Sequence, residues 1–168
     1  MKLEITKAPV AETEMRIRKP VADVFEAFVN PDITTRFWFT KSSGPLEAGR
    51  EVRWDWEMYD ASTLVLVKAI DPDKRIVIEW DGYSNRTTVE WEFSAREDAS
   101  THVVIKEYGW TGTGDELVKY VADSTQGFTW TLAGLKALLE HGVRLNLVAD
   151  KNPDAHKKGW RAAPAERG

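Results

Sequence analysis

Val52-Arg53-Trp54-Asp55-Trp56-Glu57-Met58 alternates without a break: its even positions are apolar and its odd positions charged. A strand sends successive side chains to opposite sides, so this stretch reads as a strand with one wet face and one apolar face bearing Trp54 and Trp56. Ile76, Ile78 and Trp80 repeat the pattern, as do Val89, Trp91 and Phe93 opposite Glu90 and Glu92. Several strands therefore pool large side chains on a common sheet face, and that face needs a cover. If the sheet curves away from its cover the two enclose a cavity; if it lies flat the rings are solid core. Both outcomes are open at the level of sequence.

Working outward, strands are predicted near 50–58, 62–70, 75–81, 86–94 and 102–109. Turns fall at Tyr59-Asp60, Asp71-Pro72-Asp73, Asp81-Gly82 and Arg96 to Ser100, which is the spacing of an antiparallel meander. Upstream, Glu12 to Arg18 reads as a strand and Pro20 opens a helix. Val21, Val24, Phe25 and Phe28 lie on one face of it, and Asn30-Pro31 ends it. A second short helix is expected between Asp32 and Phe37, before Trp38-Phe39 and the turn Ser42-Ser43-Gly44-Pro45. Downstream, Asp115 is the expected N-cap of a long helix running to Glu140, with His141-Gly142 as its stop. Its apolar stripe is Leu117, Val121, Phe128, Leu132, Leu135 and Leu139, with a kink expected around Ser124 to Gly127. Gly127 and Gly134 each cost about 1 kcal/mol against alanine inside a helix, which predicts close approach of the helix to the sheet or to a ligand.

The chain has 168 residues, enough for one core: a domain over 1–142, then a C-terminal extension over 143–168 that is basic from 151. With 30% charged residues and no long uncharged apolar run, no membrane span is expected. Met1-Lys2-Leu3-Glu4-Ile5-Thr6-Lys7 lacks the features of a secretory signal, which predicts a cytoplasmic location. The absence of cysteine excludes disulfides, thiolate metal ligands and cysteine nucleophiles. A net charge of −4 argues against nucleic acid as a partner, since its binders carry a basic patch. The exception is the tail, where Lys151, Lys157, Lys158, Arg161 and Arg167 face only Asp154 and Glu166. A solvated terminus, or a strap docked through Trp160, is expected there in preference to a phosphate-binding arm.

Lys19-Pro20-Val21-Ala22-Asp23-Val24-Phe25-Glu26-Ala27-Phe28, with Trp38 following, carries a family resemblance. So does Gly127-Phe128-Thr129-Trp130-Thr131-Leu132 leading to Leu135-Lys136-Ala137-Leu138-Leu139-Glu140. Together they resemble the SRPBCC or START-related superfamily, and within it the bacterial relatives of the C-terminal domain of the activator of the ninety-kilodalton heat-shock protein ATPase. The resemblance spans residues 10–142. It implies an α+β helix-grip fold, with a curved antiparallel sheet wrapped around a long C-terminal helix, two short helices near the N-terminus and a cavity between sheet and helix. Members include lipid carriers, polyketide cyclases, hormone receptors, oxygenase subunits and co-chaperones, so fold is implied more narrowly than function. A chaperone partner and a role in stress response come with the resemblance, and both monomers and homodimers occur among the relatives.

The expected wall of the site is Trp54, Trp56, Ile78, Trp80, Trp91 and Phe93 from the sheet, with Phe128, Leu132 and Leu135 from the helix. Four indoles bring four N–H groups, so this wall is apolar with a few polar points, the usual make-up of a pocket for a small hydrophobic or aromatic ligand. Packed core without a ligand is the alternative. Glu107 shares parity with Val103 and Ile105, whereas Lys106 shares parity with His102, Val104 and Tyr108, and either set can face inward. Facing inward, Glu107 could act as a general acid in a cofactor-free cyclase, dehydratase or isomerase. Facing outward, it is a surface carboxylate paired with Arg or Lys, which is the favoured reading. Tyr120 and Gln126 are the other polar groups expected near the site.

His102, His141 and His156 lack ligand spacing, so no metal is expected. Gly109 to Gly114 lacks the Gly-Lys-Ser/Thr ending of a phosphate loop and reads as the entry to the long helix. Without a nucleophile, metal or cofactor motif, the reading leans to a binding protein rather than an enzyme. Trp110 and Trp160, placed in a loop and in the tail, motivate an alternative reading as a co-chaperone-like interaction module.

Overall fold

The structure, a computed structural model, describes residues 1–154. Trp160, His156 and the basic residues from Lys157 to Arg167 lie outside the described residues. Chain order is β1 (Ala11–Ile17), α1 (Val21–Val29), α2 (Pro31–Thr34), β2 (Lys41–Ser42) and β3 (Glu51–Trp56). A 3-10 turn (Glu57–Tyr59) leads to β4 (Ala61–Asp71), β5 (Arg75–Asp81), β6 (Arg86–Ala95) and β7 (Thr101–Tyr108). The long helix α3 (Gly114–His141) and the short α4 (Leu147–Asp150) complete it. The strands form one antiparallel sheet in the order β1-β7-β6-β5-β4-β3-β2. Only β1 leaves sequence order, returning beside β7. The sheet is curved, α3 covers its concave side, and a register shift between Val67 and Ala69 adds local bend.

Side-chain alternation holds through the meander. Val52, Trp54, Trp56, Val65, Val67, Ile76, Ile78, Trp80, Val89, Trp91 and Phe93 are buried together, and α1 adds Val24, Phe25 and Phe28 to the same core. The facing of β7 is settled by its partners. Val103 pairs with Met15 and Phe93, and Ile105 with Thr13 and Trp91, which turns the odd positions inward.

The helices differ in detail from expectation. In α3 the N-cap is Thr113, not Asp115. The Thr113 hydroxyl accepts from the Glu116 amide, and the Glu116 carboxylate accepts from the Thr113 amide at 2.7 Å. This reciprocal pair satisfies two helix-end donors, more than an aspartate two residues later could. The helix runs unbroken through Ser124 to Gly127, and its buried set is Ser124, Gly127, Phe128, Thr131, Leu132, Gly134, Leu135 and Leu138. Leu117 and Val121 are only half-buried, because only the central and last turns are packed into the core. Gly134 does permit a close approach, but to the main chain of Phe37 rather than to the sheet: a Cβ there would meet the Phe37 carbonyl oxygen at 3.3 Å. The second short helix expected between Asp32 and Phe37 is α2, which begins one residue earlier and ends at Thr34, and in the turn that follows the Trp38 amide donates to the Thr34 carbonyl at 3.0 Å.

Side chains of α3 also engage β1, an edge strand that would otherwise offer its main chain to another chain. Lys136 Nζ donates to the Arg16 carbonyl at 2.8 Å and to Glu140 at 2.6 Å, the Arg18 amide donates to Glu140 at 3.3 Å, and Thr13 and Thr129 share a hydroxyl bond of 2.8 Å. Partial burial raises the pKa of Glu140, but the bonds from Lys136 and Arg18 outweigh it and hold the carboxyl below its ordinary 4.5. A depressed folded value means that this stabilisation is complete above the ordinary glutamate pKa and is lost as pH falls through the folded value. Glu140→Gln is therefore expected to cost on the order of 1 kcal/mol at pH 7 in urea unfolding, with the difference from wild type shrinking toward pH 3. A difference independent of pH would contradict the assignment.

Candidate functional site

All nine expected wall residues are buried on the concave side of the sheet or on the facing turns of α3: Trp54, Trp56, Ile78, Trp80, Trp91, Phe93, Phe128, Leu132 and Leu135. Their centre is a residue outside that set. Trp38, 3% exposed, comes from the irregular stretch between α2 and β2 and inserts among the rings of Phe39, Trp54, Trp56, Trp80, Trp91 and Phe128, with centroids 4.9–6.2 Å away. Phe39 stacks on Trp54 at 4.5 Å, and Phe128 stacks on Trp80 at 5.9 Å. Ring pairs at these offsets are worth about 0.5–1.5 kcal/mol beyond their buried area, so the interior is ring packed on ring. Trp38 and Phe39 carry no periodic signal because they lie in a loop. Two large apolar residues in succession between a helix end and a turn are the one clue that this loop is buried.

Glu107 is buried, 2% exposed, and faces inward, which overturns the favoured surface reading. Its Oε2 accepts from Trp80 Nε1 at 2.7 Å and from Thr87 Oγ1 at 2.6 Å, and its Oε1 accepts from Ser124 Oγ at 2.7 Å. All three partners are neutral donors, not Arg or Lys. A desolvated carboxylate needs such bonds, and three donors from β5, β6 and α3 supply them. Thr87 and Ser124 were missed in the sequence, though both had a signal. Thr87 shares the inward parity of Val89 and Trp91, and Ser124 interrupts the apolar stripe four residues before Phe128.

Not every polar point is satisfied. Trp56 Nε1 and Trp91 Nε1 are buried with no acceptor among the described residues, and the same holds for Trp110 Nε1. Trp110 is itself only 6% exposed, so it is no exposed interface anchor. The loop that carries it is latched by Asn85, whose amide donates to the Gly109 carbonyl at 2.7 Å and accepts from the Thr111 amide at 2.9 Å. Tyr120 stacks on Tyr83 at 4.8 Å, and Gln126 is exposed, so neither joins the ring cluster. At the opposite end lies a recess of about 90 Å³, lined by Phe37, Trp38, Thr40, Met58, Gly134 and the strap of residues 144–149. Tyr59 fastens that strap by donating to the Val148 carbonyl. Lys151 then lies over the Trp130 ring at 5.0 Å, where burial pushes its ammonium below the ordinary lysine value. Among the described residues, no group of three His, Cys, Asp or Glu side chains could hold a metal ion, and no helix is long and apolar enough to cross a membrane.

A curved antiparallel sheet gripping one long helix, with an aromatic interior and a buried carboxylate, defines a helix-grip protein of the START-like, SRPBCC class. Residues 18–140 match the family described as Activator of Hsp90 ATPase homolog 1-like protein, and the chain belongs to that family. Among solved structures it is similar to the protein SSP2350 from Staphylococcus saprophyticus. Identity is 29%, covering 82% of this chain and 96% of that one, with a TM-score of 0.71. It shares its fold with DynU16, a protein of the dynemicin biosynthetic locus, at 21% identity and a TM-score of 0.70; 80% of this chain corresponds to 48% of that one, so the chain spans about half the length of DynU16. The Aha1 dimer from Colwellia psychrerythraea shares it as well, at 18% identity and a TM-score of 0.68 over 80% of this chain and 98% of that one. No curated protein matches the chain.

Replacing Glu107 with leucine leaves three donors facing an apolar group, and is expected to cost on the order of 3 kcal/mol in urea unfolding followed by circular dichroism. Glu107→Gln keeps an acceptor for Trp80 and Thr87 and should lose less than half as much, because the Ser124 hydroxyl can turn to accept from the amide. Equal stability of the leucine variant and wild type would mean the three bonds do not form as described.

Proposed function

We propose that the protein binds a small hydrophobic or aromatic molecule between the sheet and α3, without a cofactor. The contacts are Trp54, Trp56, Ile78, Trp80, Trp91, Phe93, Phe128, Leu132 and Leu135. The observation that carries this reading is Glu107, a carboxylate 2% exposed and held by neutral donors within an aromatic interior. A core selected for stability alone seldom buries an acid without a cation, whereas a ligand site combines apolar walls with a few placed polar groups. The shared fold with DynU16, a protein of the dynemicin biosynthetic locus, is compatible with ligand binding.

The test uses the tryptophans as reporters. Titration with fatty acids, sterols, flavonoids and aromatic polyketides is expected to give, for one class, a saturable change in indole emission and a concentration-dependent rise in Tm. Trp56→Ala and Trp91→Ala should weaken that binding about tenfold or more while the protein remains folded, the loss expected for an aromatic anchor at a site centre. Binding untouched in both folded variants would remove these residues from the site.

The inward carboxylate also favours a second reading, a cofactor-free proton transfer on the bound molecule with Glu107 as the acid or base. In that case Glu107→Gln retains binding of the compound found above and abolishes its conversion, followed by mass spectrometry. Unchanged conversion in Glu107→Gln would end that role.

A further inference from the structure

We propose that Trp38 is an internal stand-in for the ligand. On this view the loop between α2 and β2 withdraws, and a flat bicyclic aromatic compound carrying an acceptor oxygen takes the place of the indole and pairs with Trp56 or Trp91. The proposal rests on the ligand-site reading above and adds where the ligand sits, what chemistry it has and what must move.

Four observations converge on it. First, Trp38 occupies the centre of the interior yet belongs to no strand or helix, and its ring touches Trp54, Trp56, Trp80, Trp91 and Phe128 from β3, β5, β6 and α3. A ligand held between sheet and helix would meet these same five rings. Second, two of its ring neighbours, Trp56 at 6.2 Å and Trp91 at 6.0 Å, carry fully buried N–H groups with no acceptor among the described residues. A buried donor without an acceptor is costly, and an indole that lends only a C–H and N–H periphery to its neighbours offers no oxygen to relieve it. A carbonyl or phenolic oxygen on an incoming ring would. Third, the loop is not packed on every side, because Phe37, Trp38 and Thr40 line a recess of about 90 Å³. Fourth, the strap of residues 144–149 lines the same recess, and the Tyr59 hydroxyl fastens it at Val148. Loop and strap therefore form one gate, and α3 passes it closely because Gly134 has no side chain against Phe37.

Self-occupation has a thermodynamic signature. A ligand that binds only the withdrawn state sees its affinity reduced by the fraction of chains in that state, so removing the plug strengthens binding. The probes are 1-tetralone, a bicyclic aromatic ketone, and tetralin, which lacks its oxygen. Trp38→Ala is expected to bind 1-tetralone about tenfold or more tightly than wild type by titration calorimetry, and to prefer it to tetralin about fivefold or more. Adding Trp56→Phe and Trp91→Phe, which keep ring volume but remove both N–H groups, should erase the preference. Trp38→Leu serves in place of Trp38→Ala if the alanine variant does not fold.

A cavity made by mutation can admit any apolar molecule, so the deciding measurement uses the intact plug. In protein labelled with 5-fluorotryptophan, the Trp38 fluorine signal, assigned by its loss in Trp38→Phe, should move to the solvent-exposed position when wild type is saturated with 1-tetralone. Tyr59→Phe, which loosens the strap and leaves the ring cluster intact, should speed association several-fold. An unmoved Trp38 signal at saturation, or a folded Trp38→Ala or Trp38→Leu variant that binds no tighter than wild type, overturns the plug. If wild type still binds a compound of the panel, the ligand-site reading survives that result. If no compound binds wild type or either variant, both readings fall together.

Discussion

A carboxylate removed from water must be given donors, and for Glu107 they come from three elements at once: Trp80 on β5, Thr87 on β6 and Ser124 on α3. That convergence constrains the fold more tightly than apolar burial does. A slip of β7 by one residue would bring Lys106 to the inner face in place of Glu107. A rotation of α3 by one residue, about 100°, would carry Ser124 away from the carboxylate. Apolar cores tolerate rearrangement if volume and pattern are kept, whereas a three-donor acceptor accepts one arrangement. The polar end of the interior thus fixes sheet register and helix phase, and the rings beyond it supply most of the buried apolar surface.

Those rings are drawn from unlike sources. Trp54, Trp56, Trp80 and Trp91 stand on strands whose hydrogen bonds hold their Cα positions, and Phe128 stands in the middle of a 28-residue helix. Trp38 has no such frame. Its amide bonds to the last turn of α2, and the next anchor along the chain is Thr40, whose amide donates to Asp55 at 2.8 Å. The most connected ring of the interior therefore rides on the least regular piece of chain within it, a loop held in place mainly by what its side chains fill.

Much of this was legible in the sequence, and the exceptions have physical reasons. Period-two alternation marked the inner faces of β3, β5 and β6, and the 3.6-residue stripe with its Pro and Asn-Pro boundaries marked α1 at Val21–Val29. The facing of β7 was hidden because both of its parities carry apolar residues, and only pairing with β1 and β6 decides between them. Trp38 escaped the expected wall because a loop has no period from which burial can be read. Trp110 reads as an exposed loop residue for the same reason, and the Asn85 latch on its loop spans more than twenty residues of sequence. Thr113 displaced Asp115 as the cap because a reciprocal bond to Glu116 outweighs the residue preference of a single site.

The two ends of the grip differ in how they are held, and the difference bears on where the interior can open. At the end near Glu107, the Asn85 side chain bonds to Gly109 and Thr111, Ser84 Oγ donates to the Thr111 carbonyl at 2.6 Å, and Tyr83 stacks on Tyr120, so the β5–β6 turn, the loop and the first turns of α3 are cross-linked. At the opposite end, the contacts of the strap over the recess include the Tyr59 hydroxyl, Val148 packed against the core and a lysine lying over Trp130, and among the described residues no strand pairing reinforces it. Local opening follows the free energy of the contacts that must break, and a segment held by side-chain contacts on one short helix is a smaller barrier than a turn, a loop and a long helix cross-linked to one another. An interior reached through the strap end would expose the ring cluster while leaving Glu107 and its donors in place. The polar point of the site would then keep its geometry through an opening that the apolar part undergoes.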